Sequence, residues 1–575
     1  MAFVGYSTGG EWIGSARAGL FGSQRNASTW TQCGAVASSV CARNKAVRRG
    51  KVVVQVPVCV ASGSSVKDDV GVGAQDAASK TAASGASGLR VSTRKNLRRQ
   101  SKVVCTIGPK TCSLAAMDEL ATNGMDIVRL NMSHGTHEWH QAVIDNVRDL
   151  NLTGRYNLGI MLDTKGPEVR SGDLKTPIEV KRGERFVWTT RKSGHSFGEF
   201  CTEVSYDDFV NDVQVGDTLL VDGGISSFLI VEKTELDVIT ECIDGGVLTS
   251  RRHLNVRGKS ASLPAITDKD WEDIKFGLKN NVDFYALSFV KHEDDVAFLK
   301  DYLREHGSEA LVLPKIESAE AVPRLRQILQ VADGAMVARG DLGAELPVED
   351  VPLVQAEIVR INRELKKPTI VATHMLESMI VYPTPTRAEV TDISEAIKQS
   401  ADATMLSGET AGGNFPVLAL QTMSRVAQSV FDLKLDAPSG EFYEIKPAPG
   451  VGDASLRSDI AYSAAVLARD LKAAAIVIFT RAGNYAREVS AVRPRCPVLA
   501  FSPSADLKRR LALSWGIDSY NIQFDTEDPE KTIHRAMQYL TQKGEIRKGE
   551  VLVIVSDMLN GKGDSVNSIQ LRVIR

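Results

Sequence analysis

Eight apolar runs of six to nine residues, separated by stretches of helical periodicity, constrain this 575-residue chain more than any other feature. They read KVVCTIG from Lys102, DIVRLN from Asp126, LGIMLD from Leu158, VDFYALSFV from Val282, ALVLPK from Ala310, GAMVAR from Gly334, PTIVAT from Pro368 and ATMLSG from Ala403. Short continuous runs rich in Val, Ile and Leu suit strands buried on both faces, and strands alternating with helices form parallel sheets. Eight such alternations predict an α/β fold built on a (β/α)8 TIM barrel, with the active site at the C-terminal strand ends. One helix start is explicit: Thr267 can cap, Asp270 follows three residues on, and Trp271, Ile274 and Leu278 recur at helical spacing.

One connection breaks the rhythm, because between LDTKGPEVR and Thr267 lie roughly a hundred residues of strand-like, Gly-punctuated sequence. The segments GDTLLVDGGISSFLIVEK and ECIDGGVLTSRR read as hairpins, so a small β domain is expected as an insert after strand three. Beyond Asp432 a loop rich in Pro and Gly leads to a new α/β rhythm with strands AAIVIFT, CPVLAF and VLVIVS. The expected organisation is a leader and linker over 1–99, barrel over 100–167 and 264–432, an inserted lid over 168–263, and a C-terminal α/β domain over 445–575.

The net charge of -2 conceals a division. Residues 1–100 carry 14 Lys and Arg against 4 acids, leaving 55 against 67 beyond them. An acidic body disfavours a nucleic-acid surface. The first 67 residues hold a single acid, Glu11, among Ser, Ala, Gly and scattered Arg, which is the composition of an organelle transit peptide. No apolar run reaches the roughly 18 residues of a membrane-spanning helix. The eight cysteines form no CxxC pair, which fits a reducing compartment.

Polar residues gather where the runs end. The fifth run presents Lys315 and Glu317 two positions apart, hence on one face. A cation and an anion side by side suit a phosphate and its metal. The sixth run ends in Asp341, and two acids from neighbouring strand ends suit one hard, oxygen-loving cation. The other ends bring Arg129, Asn131, Ser133 and His134; Asp163, Thr164, Lys165 and Arg170; Arg339 and Gly340; Thr373 and His374; and Ser407, Glu409 and Thr410.

The motifs RLNMSHG, LDTKGPEVR, PKIES, VARGDLGAE, MLESM, PTRAE and MLSGETA resemble the successive motifs of pyruvate kinase, over residues 100–575. The insert wording VSYDDFVNDVQVGD and SRRHLNVRGKSASLP resembles the plant plastid type. The resemblance implies a barrel with a β-barrel lid after strand three and a regulatory C-terminal domain. It implies phosphoryl transfer from phosphoenolpyruvate to ADP, giving pyruvate and ATP, in the plastid stroma. Lys315 would stabilise the transferring phosphoryl group and the enolate oxygen, with magnesium or manganese held by Glu317 and Asp341. Backbone N–H groups at Arg339, Gly340 and Asp341 would hold the substrate carboxylate, and Thr373 would stand near the carbon that receives the proton. Arg129 and Arg170 match positions that grip phosphates. Asn131, Ser133, Asp163 and Thr164 match the potassium site, and Glu168 matches the acid that accompanies potassium dependence. Asn131, His134, Arg170 and Arg252 would contact the nucleotide, Arg252 standing where relatives have lysine. His374 replaces the Gln or Asn of many relatives.

Two other signals are weaker. His134, His137 and His140 have a spacing reminiscent of zinc ligands, but the last two open a helix with no acid or cysteine partner apparent in the sequence. Gly258-Lys259-Ser260 lacks the earlier glycine of a phosphate loop, His253 standing in its place. A magnesium-dependent barrel lyase is disfavoured by the insert and the full motif series. A partner-dependent or regulatory subunit of a hetero-oligomer, tetrameric or larger, is the alternative to an active enzyme. In the C-terminal domain the loop after AAIVIFT, Thr480 to Tyr485, departs from the Ser-, Thr- and Gly-rich loop of fructose-bisphosphate-activated relatives. Ala482 and Tyr485 remove hydroxyl donors, Tyr485 adds bulk, and Arg481 is left to attract an anion, so little or no activation by that effector is expected.

Overall fold

The computed structural model describes residues 99–191, 200–258, 263–436, 453–558 and 566–575. Apart from Arg99, the expected leader lies outside the described residues. All eight apolar runs are strands: β1 (Lys102–Thr106), β2 (Ile127–Asn131), β3 (Gly159–Asp163), β4 (Phe284–Leu287), β5 (Leu311–Ile316), β6 (Ala335–Ala338), β7 (Thr369–Ala372) and β8 (Ala403–Leu406). They close into a parallel barrel in sequence order, β1 pairing with both β2 and β8.

Alternation along each strand sorts the side chains. Val104, Ile127, Met161, Phe284, Ala286, Leu313, Met336, Ile370, Ala403 and Met405 form the apolar filling of the barrel. Residues one position away, such as Val103, Val128, Leu162, Val312 and Val337, pack outward against the helices. The helix Asp268–Lys279 starts as the sequence predicts: Thr267 and Asp270 form a reciprocal capping box. Asp270 Oδ1 also accepts the Gly166 N–H at 3.0 Å, tying this helix to the loop that leaves β3.

The insert after β3 is a six-stranded sheet in the order Leu254–Val256, Thr218–Val221, Ser226–Lys233, Asp237–Asp244, Arg185–Thr189, Cys201–Glu203. Its two edges are joined by isolated bridges from neighbouring residues, Arg170 to His253 and Ser171 to Val204, so the sheet closes on itself as a small barrel. Trp188, Phe186 and Phe228 fill it. The first predicted hairpin is present, Thr218–Val221 against Ser226–Lys233. The second is not: Gly246–Leu248 pairs with Ile178–Val180 in a separate two-stranded sheet. Gly245 explains the break, since a Cβ there would meet the Val180 carbonyl oxygen at 2.7 Å, and the chain crosses to the other sheet at this close approach.

The C-terminal sheet has the order Ile517–Asn521, Val498–Ser502, Ala475–Phe479, Val551–Ser556, Ser568–Val573, its last strand antiparallel. The three predicted strands form its centre. The two edge strands, IDSYN and SIQLRV, carry too many polar residues to stand out as apolar runs. This domain meets the barrel floor, where Leu513 joins the cluster that fills the barrel.

Candidate active site

The interior face of each barrel strand is apolar up to its last turn and then becomes polar. Continuing by steps of two from Val104, Ile127, Met161, Ala286 and Leu313 gives Thr106, Arg129, Asp163, Ser288 and Lys315. These five side chains are linked to one another. Arg129 donates to Thr106 Oγ1 at 3.0 Å and to Asp163 Oδ2 at 2.6 Å. Lys315 Nζ lies 3.1 Å from Asp163 Oδ1 and donates to Ser288 Oγ at 2.9 Å. One step further along β5, Glu317 Oε1 lies 2.8 Å from the same ammonium. A single lysine thus faces two buried acids and a hydroxyl at the barrel mouth.

The electrostatics follow from this packing. Burial works against the Lys315 charge, yet Asp163 and Glu317 outweigh it and hold its pKa above the ordinary lysine range. Burial also opposes the Asp163 charge, but Arg129 and Lys315 hold that carboxyl below its usual value. Glu317 behaves differently: burial pushes it up to about 7 although Lys315 pulls the other way, and the Asp341 charge adds to the rise. Its Oε2 accepts the Phe289 N–H at 2.7 Å, from a residue with φ of 51°.

Asp341 sits in the first turn of the helix Arg339–Glu345 that follows β6. Burial raises its carboxyl, but His253 of the lid, 3.5 Å away, outweighs this and keeps it low. Glu317 and Asp341 therefore form a carboxylate pair whose charges one divalent cation would neutralise. Among the described residues no group of three or more His, Cys, Asp and Glu forms a metal cluster. Two carboxylates with open positions suit magnesium, which completes its shell with water and substrate oxygens.

The remaining predicted residues fall into two groups. Asn131 and Asp163 are register partners on β2 and β3, Ser133 N donates to Asn131 Oδ1 at 3.2 Å, and the Thr164 hydroxyl accepts the Ser288 N–H at 3.0 Å. Oxygens from adjacent strand ends fit a monovalent cation, although Asp163 is already engaged by two side-chain cations and would share its second lone pairs. Gly340 and Thr373 are also together, the Gly340 N–H donating to Thr373 Oγ1 at 2.8 Å. That N–H is occupied here, so a substrate carboxylate would have to displace the hydroxyl.

The second group stands apart. Arg252 donates to Asp222 Oδ2 at 2.6 Å and to Thr249, both within the lid. Arg170 holds Glu168 at 2.7 Å and the Arg251 carbonyl at 3.0 Å. The His134 side chain is exposed. Some strand-end residues are scaffold instead: Arg339 pairs with Asp392 at 2.6 Å and grips the Thr373 carbonyl, while Glu409 accepts the Leu376 and Ser407 N–H groups. His374 is exposed and, like Thr373, has a left-handed backbone. His137 has an acid partner that the sequence did not reveal, Asp273 at 2.7 Å from the helix Asp268–Lys279, and His140 bonds the His134 carbonyl. Ser288, Thr106 and His253 were missed by sequence reasoning. The first two lie inside the runs VDFYALSFV and KVVCTIG, and they join the interior period of two only once the strands are in register.

A closed (β/α)8 barrel carrying a lid, with a lysine and a pair of acids at its mouth, defines a barrel enzyme equipped for metal-assisted chemistry on an anionic substrate. Two family models match: pyruvate kinase, barrel domain, over residues 98–420, and pyruvate kinase, alpha/beta domain, over residues 458–572. The chain is 47% identical over 490 residues to plastidial pyruvate kinase 2 of Arabidopsis thaliana, covering 84% of this chain and 82% of that protein. It is 46% identical to the chloroplastic pyruvate kinase isozyme G of Nicotiana tabacum, covering 84% of each. A crystal structure of a pyruvate kinase from Cryptosporidium parvum superposes with a TM-score of 0.75 at 33% identity, covering 83% of this chain and 96% of that one. The chain belongs to the pyruvate kinase family. It is an enzyme of that family's plastid type, and nothing found favours the regulatory-subunit alternative.

Proposed function

We propose that this enzyme transfers the phosphoryl group of phosphoenolpyruvate to ADP at the mouth of the barrel, with Lys315 as the central cation. The observation that supports this reading is the linked set Thr106, Arg129, Asp163, Ser288, Lys315 and Glu317, which holds one ammonium among buried acids at the barrel mouth. Phosphoryl transfer is largely positioning and neutralisation of charge, and this set is held in place before substrate arrives.

In this reading Lys315 Nζ donates to the transferring phosphoryl group and then to the enolate oxygen of the product. The Arg129 fork grips the same phosphoryl oxygens. Gly340 and Asp341 N–H groups hold the substrate carboxylate, and Thr373 stands beside the carbon that is protonated. Asn131, His134, Arg170 and Arg252 serve the nucleotide, the last two being carried in when they exchange their acid partners for phosphate. Glu317 and Asp341 would hold magnesium or manganese, and Asn131, Ser133, Asp163 and Thr164 would hold potassium. When bound, the ions supply Lewis-acid polarisation and charge neutralisation at the phosphoryl oxygens. The organisation proposed with it is barrel over 100–167 and 264–432, lid over 168–263 and regulatory domain over 445–575, in a homo- or hetero-oligomer of four or more subunits.

A coupled assay for pyruvate on the purified chain lacking its first hundred residues, with and without potassium, tests the reading. Pyruvate formation dependent on both phosphoenolpyruvate and ADP is the expected result. Absence of product with both ions present would refute it.

A further inference from the structure

His253 is the residue through which the lid reaches the carboxylate pair. It follows Arg252 and precedes the edge strand Leu254–Val256, so its backbone is fixed at the seam where the lid closes: it bridges to Arg170, and its carbonyl accepts the Asp222 N–H at 2.9 Å. Its side chain is 15% exposed, with Nδ1 3.5 Å from Asp341 Oδ1. The ring lies edge-on to Phe289 at 6.0 Å between centroids, and Phe289 donates its N–H to Glu317. One lid residue therefore contacts one acid of the pair directly and borders the residue that supports the other.

Two observations set this contact apart from ordinary packing. The seam beside it is not continuously filled: His253, Asn255, Phe289 and Glu345 border a cavity of about 50 Å³ between lid and barrel. The imidazole is thus a strut across a gap. Moreover, among the described residues Asp341 has no other ion-pair partner within 4.0 Å, whereas Glu317 has Lys315. Among the described residues His253 is thus the ion-pair partner that bears directly on the Asp341 carboxylate.

We propose that His253 is a positioning residue for the divalent-cation site: it holds Asp341 through Oδ1 and so directs Oδ2 toward the ion. This rests on the reading of Glu317 and Asp341 as the magnesium pair. Partners of ligating carboxylates act in this way, and their loss costs about 10–100-fold in metal affinity.

The test is Mn²⁺ binding to the full chain without substrate, followed by the electron paramagnetic resonance signal of the free ion. His253→Phe keeps a ring against Phe289 but removes the donor, and His253→Asn restores a donor near the position of Nδ1. The expected result is affinity weakened about tenfold or more in His253→Phe and substantially recovered in His253→Asn, with unchanged circular dichroism in both. Wild-type affinity in His253→Phe overturns the proposal, and so does equal loss in both variants, which would mark a packing role. Asp341→Asn is the control: if it binds Mn²⁺ as the wild type does, the magnesium assignment itself fails and takes the proposal with it.

Discussion

Lys315 shows how much one side chain at the barrel mouth is asked to do. It neutralises Asp163 and Glu317 before substrate binds, and in the proposed reaction it must also meet the developing charge. Lys315→Met keeps the length and removes the charge, so turnover should fall by about 3–4 kcal/mol of transition-state stabilisation, several hundredfold, by analogy with lost oxyanion donors. Asp163 retains Arg129 and Glu317 retains the Phe289 N–H, so the fold should survive, which circular dichroism checks. Near-native turnover in this variant would sink the assignment. Potassium dependence is argued at the same scale. Glu168 pairs with Arg170 at 2.7 Å, beside the strand ends that supply the oxygen ligands. Glu168→Lys puts a fixed cation there and frees Arg170, so the ratio of rates in potassium and in a large organic cation should fall toward one. An unchanged ratio would contradict it. At this scale Lys315, Glu317 and Asp341 were legible because spacing alone places them on one face or at adjacent strand ends. Ser288 was not, since a serine inside VDFYALSFV acquires meaning only when the strands are in register. Nor was the engagement of Arg252 by Asp222, because a side chain's partner thirty residues away leaves no mark in local sequence.

Elements were easiest to read where a local rule decides them. The barrel strands announce themselves because both faces are buried, and the helix after the insert because Thr267 and Asp270 form a box. That box has a second task, since Asp270 Oδ1 accepts the Gly166 N–H on the loop leading to the lid. Thr267→Ala should therefore cost about 1 kcal/mol, the usual worth of a cap. Asp270→Ala should cost more, since it also leaves a buried N–H unpaired, a loss of about 1–3 kcal/mol. Urea unfolding of both variants checks the order, and equal losses would show that the Gly166 bond contributes nothing. The lid was harder because its pairing is non-local. ECIDGGVLTSRR looks like a hairpin, yet the approach of Gly245 to Val180 sends its second half to another sheet. Closure of the lid by two isolated bridges at Arg170 and Ser171 has no sequence signature at all.

At the scale of the whole molecule the barrel floor and the C-terminal domain are joined by buried polar contacts. Arg509 donates to Asp283 Oδ1 at 2.9 Å while Asp283 Oδ2 accepts the Ile160 N–H, and burial pushes this carboxyl up to about 6 despite the arginine. A raised folded-state value means that the native state holds a proton which the unfolded chain has released between about pH 4 and 6. Stability from this group is therefore full below pH 4 and is lost as pH rises to 6. The difference between wild type and Asp283→Asn should fall by up to about 3 kcal/mol over that window and stay flat above it. Denaturant titrations across this range check it, and a difference that rises with pH would refute the sign. The regulatory expectation depends on the loop after Ala475–Phe479 in the same domain, and there the structure changes the argument. Tyr485 does not crowd the loop after Ala475–Phe479, because its side chain is fully buried in the domain core. What weakens the loop as a phosphate site is that the Thr480 hydroxyl is already spent, donating to Asp557 Oδ2 at 3.1 Å and accepting the Gly483 N–H at 3.0 Å. An acid therefore stands where a sugar bisphosphate would bring more negative charge, and Ala482 offers no hydroxyl in exchange. Fructose 1,6-bisphosphate should leave the phosphoenolpyruvate saturation curve unmoved, whereas Asp557→Asn should be the change that first permits a response. A left-shifted curve in the wild type at micromolar effector would show that Arg481 alone is enough to hold the phosphate.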